Sequence, residues 1–115
     1  MRTIKFRAWD GEYMHYNTSH LHIWMNDNKY EIMQFTGLLD KNGKEIYEGD
    51  LIKIDNDIEV VEWGSYSDGE YVDNVECWMI SLIPLSDAEN STYGHNKYDL
   101  EVIGNIYQNN ELLSH

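Results

Sequence analysis

Residues 38–54 read LLDKNGKEIYEGDLIKI, and this stretch decides the fold because two turn signals precede an apolar strand. Asn42 and Gly43 are the residue types that tight hairpin turns favour, since the backbone there adopts positive φ angles. Gly49 and Asp50 form a second turn signal, in which glycine takes the unusual backbone angles and aspartate can accept hydrogen bonds from nearby amides. We interpret all four residues as structural turn positions.

The same stretch superficially resembles an acidic calcium-binding loop. An EF-hand loop needs oxygen ligands at its first, third and fifth positions, glycine at the sixth and glutamate at the twelfth. Counted from Asp40, the fifth residue is Lys44, glycine is the fourth residue and the twelfth is Leu51. The spacing therefore excludes an EF-hand and favours chain reversal before a strand.

Short segments of apolar alternation surround these turns and predict further strands. They cover TIKFRAW (3–9), KYEIMQFTG (29–37), DNDIEVVEWG (55–64), VECWMISLIPL (75–85) and LEVIGNIYQN (100–109). Gly104 predicts a bulge in the last strand. Helix signals are scarce: a short helix at SDAENS, capped by Ser86, and a turn at NNELLSH near the C-terminus. Many short strands bounded by Gly, Asn and Asp indicate a small barrel or a sandwich.

Size and charge limit the classes of function. A chain of 115 residues fits one domain with one core, and 42% hydrophobic residues are too many for intrinsic disorder. The net charge of −13 is uneven, with seven basic and eight acidic residues in 1–53 but one basic and thirteen acidic residues in 54–115. Such a charge disfavours binding to nucleic acid or to an anionic membrane. We expect the basic side chains of Arg2, Lys5 and Arg7 to point from one strand into water.

The chain shows no apolar run of the length that crosses a bilayer and no signal-peptide pattern at its start, which predicts a cytoplasmic protein. The single cysteine, Cys77, agrees with this location, since it cannot form an internal disulfide. Its apolar neighbours predict a buried or half-buried strand position rather than a catalytic thiol.

Four segments together resemble the YopX family of phage and prophage proteins. They are IKFRAWD (4–10), MQFTGLLDKNGKEIYEGDLIKI (33–54), VVEWG (60–64) and YDLEVIGNIYQNNELL (98–113). The resemblance implies a mainly β fold with little helix, in which an N-terminal β extension (1–35) precedes a small, SH3-like, partly open barrel (36–115). It implies a single domain encoded by a phage or prophage, often of unassigned function, and it brings no catalytic residues and no cofactor.

Two groups of side chains, a histidine pair and an acidic stretch, are candidates for a metal site or a catalytic site. His20 and His22 would share one face of a strand and could both bind zinc, and His15 could supply a third nitrogen. No Cys or acidic residue lies at a convincing spacing, so we predict no metal site. The acidic residues Asp68, Glu70, Asp73 and Glu76 are interpreted as a solvated hairpin loop, because nothing in the sequence places them in a dry cleft. The sequence therefore favours a protein that is not an enzyme.

Aromatic residues offer a different kind of site. Trp9, Trp63 and Trp78 lie in predicted strands and are expected to fill the core. Trp24 lies between Ile23 and Met25 in a short apolar run beside turn residues, and we interpret these three residues as an exposed interaction patch.

The leading hypothesis is thus a non-enzymatic phage accessory protein that forms a homo-oligomer or binds a host or phage protein. An alternative is an acidic DNA mimic that occupies the nucleic-acid site of a host protein. Another alternative is a small metal-dependent hydrolase that uses His20, His22 or the acidic loop. The sequence does not identify a partner.

Overall fold

The computed structural model describes residues 4–54, 56–67, 69–70, 75–80, 83–84 and 100–113. Within them lie nine strands: β1 (Phe6–Trp9), β2 (Met14–His15), β3 (Glu31–Leu39), β4 (Glu45–Tyr47), β5 (Asp50–Ile54), β6 (Asp57–Tyr66), β7 (Val75–Ile80), β8 (Ile83–Pro84) and β9 (Glu101–Asn105). One short helix, α1 (Leu21–Met25), follows a 3₁₀ turn at Thr18–His20, and a second 3₁₀ turn covers Asn110–Leu113. The predictions of a mainly β fold with little helix and of a C-terminal turn are confirmed.

Four strands form the first sheet, in the order β2-β1-β3-β4, and all its pairs are antiparallel. The first half of β3 pairs with β1, where Phe6 lies opposite Gln34, and the second half pairs with β4, where Phe35 lies opposite Tyr47. The register shifts between Phe35 and Leu39. The predicted boundary between residues 35 and 36 thus lies inside β3, which links the N-terminal strands to the rest of the chain.

The second sheet has the order β8-β7-β6-β5-β9 and curls into a half-barrel, as the prediction of a partly open barrel required. Leu51 lies opposite Gly104 whereas Ile52 lies opposite Val102, so β9 carries one extra residue at this point. The predicted bulge at Gly104 is confirmed. A bulge bends its strand, which here turns β9 and the chain after it over the end of β5.

The main hydrophobic core lies on one face of the half-barrel. It contains the buried side chains of Ile46, Ile52, Val61, Trp78, Ile80 and Leu100. These residues come from four strands and one connecting segment, so the period-2 alternation of each strand supplies one wall of a shared core. Burial of that apolar surface is the principal stabilising contribution to the fold.

The structure tests the predictions for three tryptophans and for Cys77. Trp78 is buried and Trp9 is half-buried, but Trp63 is 51% exposed, so its prediction as a core residue is wrong. Trp63 lies opposite Trp78 in the β6–β7 pair, with its ring packed edge-on against the buried ring at 4.9 Å between centroids. Cys77 is half-buried in β7, as expected. The short helix predicted from Ser86 lies outside the described residues.

The expectation that the basic residues near the N-terminus point into water is wrong for Arg7, which is only 3% exposed. β1 lies between β2 and β3 and both of its central residues are buried, so the simple alternation of wet and dry faces fails there. Lys5 is half-buried and forms an ion pair with Glu45. Arg2 lies outside the described residues.

Candidate functional site

The turn at residues 40–44 is organised by the carboxylate of Asp40. Its Oδ1 accepts hydrogen bonds from the backbone N–H groups of Asn42 at 2.8 Å and Lys44 at 2.9 Å, while Gly43 takes a φ of +83°. Its Oδ2 accepts a third bond, 3.0 Å long, from the N–H of Val102 in β9. The hairpin turn predicted from Asn42 and Gly43 is therefore present, and Asp40 also ties it to a strand far along the chain.

The second predicted turn places Asp50 in the interior. Gly49 has a φ of +84°, and a Cβ at this position would lie 3.4 Å from the Sδ of Met33. Asp50 is 1% exposed, and its Oδ2 accepts a hydrogen bond of 2.7 Å from the backbone N–H of Tyr47. Sequence reasoning predicted the turn and the capacity of Asp50 to accept such a bond, but not the burial of the carboxylate.

Arg7 is the partner that makes this burial possible. Its Nη2 donates a hydrogen bond of 2.8 Å to Oδ1 of Asp50 and another of 3.2 Å to the carbonyl oxygen of Glu48. The guanidinium carbon also lies 4.7 Å from the centroid of the Tyr47 ring. Burial raises the pKa of the Asp50 carboxyl above its usual value, and the positive charge of Arg7 opposes that rise. The pair joins β1 to the start of β5 across 43 positions of sequence.

A polar cavity of about 260 Å³ opens beside this ion pair. Two parts of the chain supply its walls: the first contributes Arg7, Tyr16, Lys44 and Asp50, and the second contributes residues 102–105 of β9, Gln108 and Asn109. The bulge at Gly104 shapes the second wall, because a Cβ there would lie 2.5 Å from Oδ1 of Asn109. The run of polar residues after the last strand was the sequence signal for this wall, and it was not recognised as a site.

The predicted interaction patch lies elsewhere, on α1. Ile23 is 47% exposed and Met25 is 69% exposed, whereas Trp24 is only 3% exposed. The expectation that Trp24 belongs to an exposed patch is wrong, because successive residues of a helix point about 100° apart and Trp24 turns inward toward Tyr30. Its ring centroid lies 6.4 Å from that of Tyr30. An interaction role for Ile23 and Met25 stays a prediction.

The histidines proposed as metal ligands do not share a strand face. His20 ends a 3₁₀ turn and His22 lies in α1, so the i, i+2 argument that linked them is wrong. In the part of the chain that the structure describes, no group of three or more His, Cys, Asp or Glu side chains could hold a metal ion. Of the acidic loop, Glu70 and Glu76 are exposed, and Asp68 and Asp73 lie outside the described residues.

Another titratable pair lies close to α1. Nε2 of His15 lies 2.7 Å from Oδ2 of Asp10, and Oδ1 of Asp10 accepts hydrogen bonds from the N–H groups of Glu12 and Tyr13. The bond from His15, followed by those from Tyr13 and Glu12, lowers the pKa of Asp10 to about 2. The pair stabilises the turn between β1 and β2, so a structural role explains its presence.

The described part of the chain contains no helix that is both long and apolar enough to span a membrane.

Comparison with known proteins gives one family and one fold. The family model described as YopX protein matches residues 15–114. No curated protein matches the chain significantly. Among solved structures, the crystal structure of protein EF1440 from Enterococcus faecalis is 26% identical, with 98% of this chain and 99% of that chain covered and a TM-score of 0.55. The similarity extends over the N-terminal strands and the half-barrel together.

Proposed function

Because the chain belongs to the YopX family, we propose that it is a phage or prophage accessory protein that acts through protein contacts, without catalysis, and that it self-associates. The proposed contact lies on α1, and its proposed occupant is a second copy of the chain. The single observation that carries it is the exposure of Ile23 and Met25 on the same short helix.

Exposed apolar side chains occur along the described chain, and two of them lie on α1. Six of the nine large hydrophobic residues that are exposed among the described residues precede residue 54. These six are Ile4, Tyr13, Tyr16, Ile23, Met25 and Leu39. Single exposed apolar residues are ordinary on a protein surface, but two on one short helix, Ile23 and Met25, favour a protein contact.

The distribution of charge favours the same half. Two copies of a chain with a net charge of −13 repel each other unless the contact excludes most of that charge. Residues 1–53 carry seven basic and eight acidic side chains, so this half is close to neutral, whereas nearly the whole negative charge belongs to residues 54–115. A contact through α1 allows the acidic halves to point away from each other.

Light scattering coupled to size-exclusion chromatography tests this proposal. In moderate salt we expect a dimer at micromolar concentration, and Met25→Asp should weaken it roughly 10-fold or more, because a buried charge replaces an apolar contact. Ile23→Asp should act in the same direction. Trp24 is left unchanged, since its replacement would disrupt the fold rather than the surface.

The matched control is Leu113→Asp, which introduces the same charge at an exposed apolar residue of the acidic half. It should leave the dimer intact. A wild-type chain that remains monomeric at about 100 µM, where a dimer with a micromolar dissociation constant is mostly assembled, would contradict the proposal. Equal loss of dimer in Leu113→Asp and Met25→Asp would show that charge alone, rather than the α1 contact, controls assembly.

A further inference from the structure

The walls of the polar cavity contain more hydrogen-bond donors than they use. Arg7 donates through Nη2 to Asp50 and Glu48, but its buried Nε has no hydrogen-bond partner in the described part of the chain. A buried N–H without a partner costs about 1–3 kcal/mol, so this orientation needs an explanation. Arg7 is held in place by its ion pair and by the Tyr47 ring, and it lines the cavity.

The side-chain oxygens of four residues that line the cavity, Asp50, Asn105, Gln108 and Asn109, accept hydrogen bonds within the protein. Oδ1 of Asn105 accepts bonds from the N–H groups of Tyr107 at 3.0 Å and Gln108 at 2.9 Å. Oε1 of Gln108 accepts a bond of 2.7 Å from Nδ2 of Asn105, and Oδ1 of Asn109 accepts one of 3.2 Å from the N–H of Asn105. Both carboxylate oxygens of Asp50 are used in the same way.

These internal bonds determine which side-chain atoms remain free to bond a ligand. The side-chain oxygens of Gln108 and Asn109 are turned to the backbone and to Asn105, which leaves the amide nitrogens, Nε2 and Nδ2, to donate elsewhere. Lys44 lines the same space with an ammonium group that can donate three bonds. With the buried Nε of Arg7, four donor groups thus belong to residues that line one cavity.

Charge and size narrow the ligand that such walls would recognise. Arg7 and Lys44 carry two positive charges against the single negative charge of Asp50, so the lining is positive within a strongly negative protein. A volume of about 260 Å³ is below the range of roughly 300–1,000 Å³ that drug-sized ligands occupy. We propose that this cavity binds a small ligand through a carboxylate or phosphate group, which lies beside the positive charges of Arg7 and Lys44 and accepts hydrogen bonds from Lys44, Gln108 and Asn109.

This site is separate from the α1 contact and does not depend on self-association. Nuclear magnetic resonance of the full chain tests it, because the Nε–H of Arg7 gives its own signal. The probes are inorganic phosphate and acetate, each titrated against sodium chloride at matched ionic strength. We expect a saturable shift of the Arg7 Nε–H signal and of the side-chain amide signals of Gln108 and Asn109, with a dissociation constant of about 1 mM or tighter for at least one probe.

Three variants test whether the anion binds at this cavity. Gln108→Glu keeps an oxygen that can accept from Asn105 but replaces the free amide donor by a negative charge, and it should weaken binding roughly 10-fold or more. Lys44→Gln should weaken binding several-fold. Lys53→Gln is the matched control, because Lys53 is an exposed lysine of β5 that does not line the cavity, and it should bind as the wild type does. The unchanged backbone spectrum of each variant verifies folding.

The two probes also distinguish the sources of the ligand. Saturation by phosphate alone indicates a phosphorylated small molecule, and saturation by acetate alone indicates a carboxylate. The absence of saturable shifts with both probes, each tested up to about 20 mM, would overturn the proposal. So would shifts that are equal in Gln108→Glu and in Lys53→Gln, since the anion would then bind elsewhere on the protein.

Discussion

Replacing Asp40 by asparagine should destabilise the protein by about 2 kcal/mol, because its carboxylate serves three backbone donors at once. Asparagine keeps one acceptor oxygen, which can still serve Asn42 and Lys44 in the turn. Its amide group would then face the N–H of Val102, so a donor meets a donor inside a half-buried contact. Leaving one such N–H unpaired costs about 1–3 kcal/mol, and the loss of charge weakens the other two bonds.

Urea unfolding followed by tryptophan fluorescence measures this loss. A destabilisation of about 2 kcal/mol corresponds to a fall in melting temperature of about 10 °C for a domain of this size. The matched control is Asp57→Asn, at an exposed aspartate that begins β6, and it should stay within about 0.5 kcal/mol of the wild type. If Asp40→Asn is as stable as Asp57→Asn, then the link from the turn to β9 contributes little and the reasoning is wrong.

The same carboxylate predicts a dependence on pH. Burial on its own would raise the pKa of Asp40, but the hydrogen bonds from Val102, Lys44 and Asn42 outweigh it and lower the pKa below the usual 3.8. A lowered pKa in the folded state means that the stabilisation is fully present above the unfolded pKa and is lost as pH falls through the folded pKa. The difference in unfolding free energy between wild type and Asp40→Asn should therefore be constant near neutral pH and shrink below pH 3.8. A difference that grows on acidification would refute this assignment.

Two further predictions concern the buried ion pair and two glycines, and both are measured by urea unfolding. Arg7→Met should lower the free energy of unfolding by about 3–5 kcal/mol, because it leaves the carboxylate of Asp50 buried and unpaired. The double variant Arg7→Met/Asp50→Asn should recover much of that loss. Strictly additive losses would contradict the ion-pair interpretation. Gly43→Ala should lower the free energy of unfolding by about 1 kcal/mol, since only its positive φ is strained. Gly104→Ala should lower it more, because the new Cβ would displace Asn109. The reverse order would contradict the packing of the bulge.

The features that the sequence predicted correctly are those set by neighbouring residues. The turn with Gly43, the turn with Gly49 and the bulge at Gly104 each depend on backbone angles or close packing that one short segment determines. The alternation of the strands likewise identified most of the half-barrel. Local chemistry of this kind is legible in a sequence because its cause lies within a few residues of its effect.

The features that the sequence did not predict connect distant segments. The sequence predicts that Arg7, like the other basic residues of its strand, points into water. Nothing near it in sequence shows that Asp50, 43 positions later, is buried beside it. The bond from Val102 to Asp40 spans 62 positions and is hidden in the same way. Period-2 alternation gives the face of a side chain but not what covers that face. The cavity is formed by such long-range contacts. The polar run after the last strand can therefore be recognised as a cavity wall only from the fold.

The interaction patch shows how a correct signal can be attached to the wrong residue. An apolar run of Ile23, Trp24 and Met25 beside turn residues predicts exposure of all three side chains. In a helix, however, three consecutive residues cannot share one direction, and the side chain with the most apolar surface gains most from burial. Trp24 therefore packs inward and fixes α1, while Ile23 and Met25 remain on the surface. A buried anchor beneath two exposed apolar side chains holds them in a defined position, which reduces the entropy that a contact with a second copy would have to overcome.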